Sequence, residues 1–181
     1  MPRHFAPRGT SLRGRTIFPR SRRSVRFGRA ALVILLLFFG FVFFSGRVVS
    51  VADGDTMTVL MKNARMQKVR LYGIDCPESG QAGGEAATAF TRDRALLSDV
   101  GLTVLDADTY GRKVAIVRLA DGMLLNEELL RAGHAWVYPD FCREAICASW
   151  ILMEEEARRA GRGLWQDKKP TPPWEWRRQR R

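Results

Sequence analysis

Histidine is scarce in this chain of 181 residues, which contains only His4 and His134, far apart in sequence. Zinc sites are built from clustered histidine and cysteine ligands, so the sequence argues against zinc. The one glycine-rich loop, residues 79–84, lacks the spacing and the following Lys-Ser/Thr of a phosphate-binding loop. No internal repeat is present. The chemistry must therefore come from other residue types.

The central part of the chain also lacks an excess of positive charge, although the whole chain carries +11. Residues 1–29 contribute +9 through nine arginines and no acidic residue, and residues 168–181 contribute +5, which leaves −3 for residues 30–167. The high charge belongs to the two ends and does not indicate a basic nucleic-acid-binding domain. We expect residues 1–29 to be disordered because arginines dominate them.

Residues 168–181 form a second basic segment, rich in proline and tryptophan. We predict a stiff extended arm over residues 170–176 within a solvated, disordered tail. Contact of its tryptophans and arginines with an anionic surface or nucleic acid is the alternative.

The longest apolar run, residues 30–45, contains no charge. It is slightly shorter than the roughly 20 residues of a spanning helix, but flanking arginines can reach the membrane interfaces. We predict a transmembrane signal-anchor helix over residues 30–46; a cleaved signal peptide, giving a secreted protein, is the alternative. Because nine arginines precede the run, residues 1–29 should be cytoplasmic and the rest extracytoplasmic, periplasmic or extracellular.

Cys142 and Cys147 suit an oxidising compartment, where two nearby cysteines can form a disulfide. Side chains five positions apart on a regular helix diverge by about 140°, so a bridge requires that Cys142 lie outside a helix. Two free thiols are the alternative.

Short β-prone segments separated by turn residues indicate a small barrel. The predicted strands are residues 48–52, 56–61, 68–74, 101–105 and 112–119, and the predicted helices are residues 85–100, 125–132 and 144–160. The first helix should bury Ala86, Ala89, Phe90, Leu96 and Leu97. We predict an α+β fold, mainly β: a five-stranded barrel of the oligonucleotide/oligosaccharide-binding (OB) type, capped by about three helices. Periodicity alone leaves other α+β folds open.

Residues 69–78 concentrate polar groups in an otherwise apolar strand and turn. Arg70 lies within the strand, Asp75 and Glu78 follow at its end, and Pro77 restricts the backbone between them. Charged groups in such a place are costly to bury unless they are paired or bind a cation. An Arg–Asp ion pair at a barrel corner is one interpretation.

The functional interpretation needs partners from two other loops. Asp55, Asp75 and the backbone carbonyl of Cys76 are oxygen ligands of the kind that calcium prefers. Arg70 and Arg112 would bind a phosphate group. From the residues alone, a phosphodiester site, a structural ion-pair network and a simple calcium site all remain open.

The chain from about residue 47 to 165 resembles the staphylococcal (thermo)nuclease family. The matching motifs are ADGDT (52–56), VRLYGIDCPE (69–78), DTYGR (108–112), LLNEELLRAG (124–133) and ARRAGRGLW (157–165), in the order that the family has them. The resemblance implies a nuclease-like OB-fold domain over residues 47–167.

The resemblance also implies a role for each matching residue. Asp55, Asp75 and the Cys76 carbonyl would bind Ca²⁺, with Asp53 nearby; Glu78 would be the general base; Arg70 and Arg112 would bind phosphate; and Tyr110 would line the nucleotide pocket. Tyr138 lies after Val137, where the sequence departs from the family, and is a further candidate stacking residue. The free thiol of Cys76 adds an oxidation liability.

The implied activity is calcium-dependent hydrolysis of DNA or RNA, preferably single-stranded, with cleavage of the P–O5′ bond. A barrel that binds single strands or another polyanion without cutting is the alternative. We infer no protein partner and expect a monomer.

Overall fold

The computed structural model describes residues 43–180 of the chain. The predicted disordered segment, residues 1–29, and most of the predicted anchor, residues 30–46, lie outside the described residues. Between residues 43 and 180, no helix has both the length and the apolar character that a membrane span requires.

Five strands close into a barrel, and a sixth short strand follows the third. In chain order they are β1 (Phe43–Val51), β2 (Thr56–Met61), β3 (Met66–Leu71), β4 (Ile74–Asp75), β5 (Asp99–Ala107) and β6 (Lys113–Arg118). The barrel order is β1-β2-β3-β6-β5, with β3 and β6 parallel and the other pairs antiparallel. The expected closed five-stranded β-barrel with helices is thereby confirmed.

Two strand boundaries differ from the prediction. β1 begins at Phe43 and pairs with β5 from Phe43 to Arg47, so the end of the segment assigned to the anchor belongs to the barrel. The predicted strand 68–74 is split into β3 and β4, because Gly73 has a left-handed φ of 68° that no extended strand contains.

Four α-helices cover the barrel within the described residues, one more than the sequence indicated. They are α1 (Gly84–Ala95), α2 (Leu125–Ala132), α3 (Cys147–Arg159) and α4 (Pro173–Gln179), with a 3₁₀ helix at Gly163–Gln166. A seventh strand, β7 (Trp136–Val137), pairs with β4. The Cys142–Cys147 disulfide, with an S–S distance of 2.02 Å, joins the start of α3 to the loop before it, so Cys142 is not helical.

The predicted helix 85–100 was too long, and of its predicted buried residues only Phe90 packs, partly buried, against the core. α1 ends at Ala95, and Leu97 adopts a positive φ of 61°, which turns the chain into β5. The buried residues of α1 are Gly84, Ala87, Thr91 and Ala95. Small side chains on this face let α1 approach the barrel closely. The Thr91 hydroxyl then donates a 2.6 Å hydrogen bond to the carbonyl of Gly54, in the loop that carries Asp55.

One buried asparagine fixes α2 against the barrel. Asn126 is fully buried; its amide donates to the Tyr72 carbonyl at 3.0 Å and its oxygen accepts from the Val117 backbone N–H at 3.1 Å. Both ends of the side chain are therefore satisfied, as burial requires. These hydrogen bonds hold the turn between β3, which contains Arg70, and β4, which ends at Asp75.

The basic tail is not disordered over its described part, residues 168–180: Pro172 keeps an extended backbone, and Pro173–Gln179 form α4. Pro173 stands at the first turn of α4, where its missing N–H costs nothing and its fixed φ favours the helix. Pro173 is buried, and Trp174 packs against the aromatic cluster formed by Trp136, Ala157, Leu164 and Trp165. From Pro173 onward the predicted extended arm is therefore wrong: this part is a helix, held by apolar contacts that the sequence of so short a segment does not reveal.

Candidate active site

Three carboxylates from two loops meet at one end of the barrel. We call Asp55, Asp75 and Glu78 the carboxylate cluster. Asp55 ends the β1–β2 turn, Asp75 ends β4, and Glu78 follows three residues later. Asp55 and Asp75 are almost fully buried, whereas the Glu78 side chain is 38% exposed. The two deep carboxylates need compensating groups, and the structure supplies them.

Arg70 bridges the two buried carboxylates. Its Nη1 donates to Asp55 Oδ1 in a short contact, and its Nη2 donates to Asp75 Oδ1 at 2.6 Å. The backbone N–H of Cys76 donates to the second oxygen of Asp55 at 2.8 Å. The Thr56 hydroxyl also donates to Asp55 Oδ1, at 3.1 Å. One guanidinium charge thus lies between two carboxylates that sequence alone could not bring together.

A second arginine, from the C-terminal helix, contacts the other side of the cluster. Arg177 Nη2 donates to Asp75 Oδ2 at 2.8 Å, and Arg177 Nη1 donates to Glu78 Oε1 at 2.6 Å. Partial burial disfavours its charge, but these two hydrogen bonds outweigh that effect and raise the pKa of Arg177. The sequence reasoning missed Arg177 because it treated residues 168–181 as a solvated tail.

Glu78 is positioned by a tight loop at the start of α1. The backbone N–H of Glu78 donates to Gln81 Oε1 at 3.0 Å, and the same amide donates through Nε2 to the Thr171 carbonyl at 2.7 Å. Gly84 passes so close to the Glu78 carbonyl that a Cβ would overlap it. Gln81, which the sequence reasoning also missed, therefore connects the Glu78 loop to the segment before α4.

Arg112 approaches the cluster from the β5–β6 loop. Its Nε donates to Asp108 Oδ2 at 2.6 Å, and its Nη1 lies 3.5 Å from the Thr56 hydroxyl that bonds Asp55. Burial alone would raise the pKa of Asp108, but the hydrogen bonds from Arg112 outweigh it and hold that pKa below its usual value. The Thr56 side chain thus lies between Arg112 and Asp55.

The two tyrosines singled out in the sequence differ in environment. Tyr110 is 83% exposed at the tip of the β5–β6 loop, with the Arg112 guanidinium 5.6 Å from its ring centre. Tyr138 is half-buried and stacks on Trp174, with ring centres 5.1 Å apart and planes inclined by 10°. Tyr138 therefore lies beside α4, a partner that the sequence reasoning did not connect to it.

Burial raises the pKa values of two further groups near the carboxylate cluster. Burial raises the pKa of Asp53, and the nearby Arg70 guanidinium only partly offsets this. Burial also raises the pKa of the Cys76 thiol well above its usual value, and the residue is only 3% exposed. A protonated, enclosed thiol is unreactive, so the oxidation liability expected at Cys76 is not supported.

The donor set is compatible with a hard divalent cation. Oxygens of Asp55 and Asp75 both accept hydrogen bonds from the positively charged Arg70. The same two carboxylates could therefore neutralise a cation bound between them. Among residues 43–180 no group of three or more His, Cys, Asp or Glu side chains is arranged as a metal centre. A cation here would depend on two carboxylates, backbone oxygen and water, and would compete with Arg70 and Arg177.

The sequence is similar to those of proteins named as nucleases over most of its length. Residues 68–167 match the family described as Staphylococcal nuclease homologue. An uncharacterised endonuclease of Escherichia coli O157:H7 is 39% identical over 132 residues, 73% of this chain and 84% of the relative. A micrococcal nuclease of Shigella flexneri is 36% identical over 157 residues, 82% and 89% of the two chains. An uncharacterised endonuclease of Haemophilus influenzae is 37% identical over 133 residues, 74% and 72%.

Proposed function

Because this chain belongs to the family of staphylococcal nuclease homologues, we propose that it is a calcium-dependent nuclease that hydrolyses phosphodiester bonds in DNA or RNA and prefers single strands. The observation that carries the proposal is the convergence of Asp55, Asp75, Glu78 and Arg70 at one end of the barrel, with Arg112 one side chain away. Carboxylates repel phosphate unless positive charge lies between them. The cluster therefore has the composition of a phosphodiester site that uses a cation.

Asp55 and Asp75, with the backbone carbonyl of Cys76, are the residues that would hold calcium. When bound, calcium would supply a positive charge that stabilises the negative charge developing on the phosphate oxygens. The burial of both carboxylates strengthens their interaction with any cation, because little water screens them.

Glu78 is the general base in this proposal. It is the most exposed member of the carboxylate cluster, so a water molecule can reach it and lose a proton to it. Attack of that water on phosphorus opposite the 5′-oxygen leaves a 3′-phosphate and a 5′-hydroxyl. Arg70 and Arg112 would donate hydrogen bonds to the equatorial phosphate oxygens. Tyr110 and Tyr138 would stack against bases.

The decisive experiment is digestion of single-stranded DNA and RNA by the full-length chain, with calcium and with excess chelator. We expect cleavage only with calcium, and products whose 5′ ends accept a kinase label directly. Glu78→Gln should lose most of the turnover and retain binding of the strand. Binding without cutting by the wild-type chain would instead identify the non-catalytic module, and full activity in chelator would remove calcium from the proposal.

We also propose that the part of the predicted anchor before β1, residues 30–42, anchors the protein and that the nuclease domain is extracytoplasmic. The arginines of residues 1–29 and the uncharged apolar run support this orientation. The mass of the mature protein and the cell fraction that contains it provide the test. A full-length mass in the membrane fraction is expected, whereas a chain shortened near residue 50 in the soluble fraction would indicate a secreted form.

A further inference from the structure

We propose that Arg177 is a further phosphate-positioning residue of this site and that α4 forms one wall of the cleft for the nucleic acid strand. The proposal rests on the nuclease function proposed above and adds to it a residue from the C-terminal segment. The contacts of Arg177, the packing of α4 and the cavity beside both support it.

Arg177 shares one carboxylate, Asp75, with Arg70. Both guanidinium groups reach the same oxygen, Asp75 Oδ1, with Arg70 Nη2 at 2.6 Å and Arg177 Nη1 at 3.3 Å. Arg177 also contacts Glu78, the proposed base, at 2.6 Å, and its side chain remains 34% exposed. A guanidinium within hydrogen-bond distance of the base is close to where the reacting phosphate must lie.

The backbone of α4 is held on the body of the protein, so a change of partner at Arg177 requires movement of its side chain and not of the helix. Trp174 stacks on Tyr138 and packs against the aromatic cluster, and Pro173 is buried. The Gln81 amide holds the preceding segment through the Thr171 carbonyl at 2.7 Å.

A divalent cation on Asp75 would replace the charge that Arg177 now provides there. Arg177 would keep Glu78 on its Nη1, but its Nη2, which now bonds Asp75, would be available to another anion, and in a nuclease that anion is the phosphate of the bound strand. The planar fork of arginine suits phosphate oxygens, as it suits the carboxylates that it contacts here. Arg70 and Arg112 are likewise paired with carboxylates in this structure, so carboxylate pairing is compatible with a role at phosphate.

The surroundings of Arg177 suit a nucleic acid strand. A cavity of about 480 Å³ lies along α4, lined by Tyr138, Pro139, Asp140, Trp174, Arg177 and Arg178. Its volume is in the usual range for small-ligand sites. A stacked aromatic pair beside two arginines is the combination that binds bases and backbone of single strands without sequence preference. α4 thus extends the cleft away from the carboxylate cluster.

The test compares Arg177→Ala and Arg177→Lys with Arg180→Ala, all in the full-length chain. Arg180 is a suitable control because it lies at the end of the same helix, over Trp176, and outside the carboxylate cluster. Calorimetric titration with Ca²⁺ alone should show affinity at least about tenfold higher for Arg177→Ala, because a competing charge is gone. Arg180→Ala should match the wild type. Unchanged or weaker calcium binding by Arg177→Ala would overturn the proposal.

Kinetics at saturating calcium separate phosphate positioning from simple blockage of the site. We expect kcat/KM to fall by roughly 10- to 100-fold in Arg177→Ala. Arg177→Lys should recover part of that loss, and Arg180→Ala should lose little. A kcat/KM equal to or above that of the wild type would show that Arg177 only obstructs the site.

Strand binding provides a measurement that does not depend on cleavage. In the slow Arg112→Ala background, a labelled single-stranded oligonucleotide with calcium should bind more weakly when Arg177 is replaced by alanine. The slope of log affinity against log salt should also shrink by roughly 0.7 to 1. A wild-type chain that cuts nothing would refute the nuclease proposal, and this titration would still decide the role of Arg177. An unchanged slope would refute that role.

Discussion

Replacing Arg70 by methionine tests whether this arginine compensates the two buried carboxylates. Methionine keeps much of the side-chain length and removes the guanidinium. Asp75 would still be paired with Arg177, whereas Asp55 would lose the one charged partner that it has among residues 43–180. Breaking a buried ion pair by removing one member costs about 3 to 5 kcal/mol. Because Arg177 remains, we expect the lower end, about 3 kcal/mol, or a fall in melting temperature of about 10 °C.

Urea unfolding followed by tryptophan fluorescence measures this loss in the free energy of unfolding. The matched control is Arg47→Met, the same change at another strand position, where Arg47 pairs with Asp99 and the two side chains are 58% and 75% exposed. Exposed ion pairs contribute at most about 1 kcal/mol, so the control should change little.

Calcium gives the experiment a second readout. A cation at roughly 100 times its dissociation constant stabilises the folded state by about 2.7 kcal/mol. Calcium should stabilise Arg70→Met more than the wild type, because it no longer displaces this guanidinium. If Arg70→Met unfolds at the same urea concentration as Arg47→Met, Arg70 does not compensate the carboxylates and the electrostatic reasoning fails.

Three further predictions concern single residues. Arg112→Ala should lower turnover on single strands by on the order of 10²-fold, whereas Arg118→Ala, at an exposed arginine that ends β6, the strand following Arg112, should keep near-normal turnover; equal effects would remove the role of Arg112. The Cys76 thiol should resist iodoacetamide in the native protein and react after unfolding, because burial raises its pKa. Mass spectrometry measures the label, and labelling of Cys76 in the native protein would contradict the prediction. The pKa of Asp108 is lowered in the folded state from its unfolded value of 3.8. Its pairing with Arg112 therefore stabilises the fold at pH values above 3.8, and this contribution is lost as pH falls through the folded pKa. The difference in unfolding free energy between wild type and Asp108→Asn should therefore be constant from pH 5 to 7 and disappear in stronger acid.

The barrel was predictable because its signals are local. Alternating apolar residues and turn residues mark a strand within a few positions, so the number of strands and their order along the chain could be read from the sequence. The end of α1 was not predictable in this way. Leu96 and Leu97 continue the apolar composition of a helix, but Leu97 donates its N–H to the Val48 carbonyl at 2.9 Å, and this tertiary contact ends the helix.

Within the site, the sequence identified residue types and the structure decided their partners. An arginine and two carboxylates between positions 70 and 78 needed compensation, and the burial cost of charge made that clear in advance. Which groups provide it depends on loops that are distant along the chain. Asp55 reaches Arg70 across 15 positions, and Asp75 reaches Arg177 across 102.

The sequence by itself determined the barrel, the carboxylates, the two arginines beside them and the family to which they belong, because each depends on local patterns or short motifs. Only the tertiary structure decided the position of the C-terminal segment. Its composition of prolines, tryptophans and basic residues indicates a solvated tail when taken alone. Apolar contacts of Pro173 and Trp174 with the body overcome that tendency, and they place Arg177 on Asp75 and Glu78.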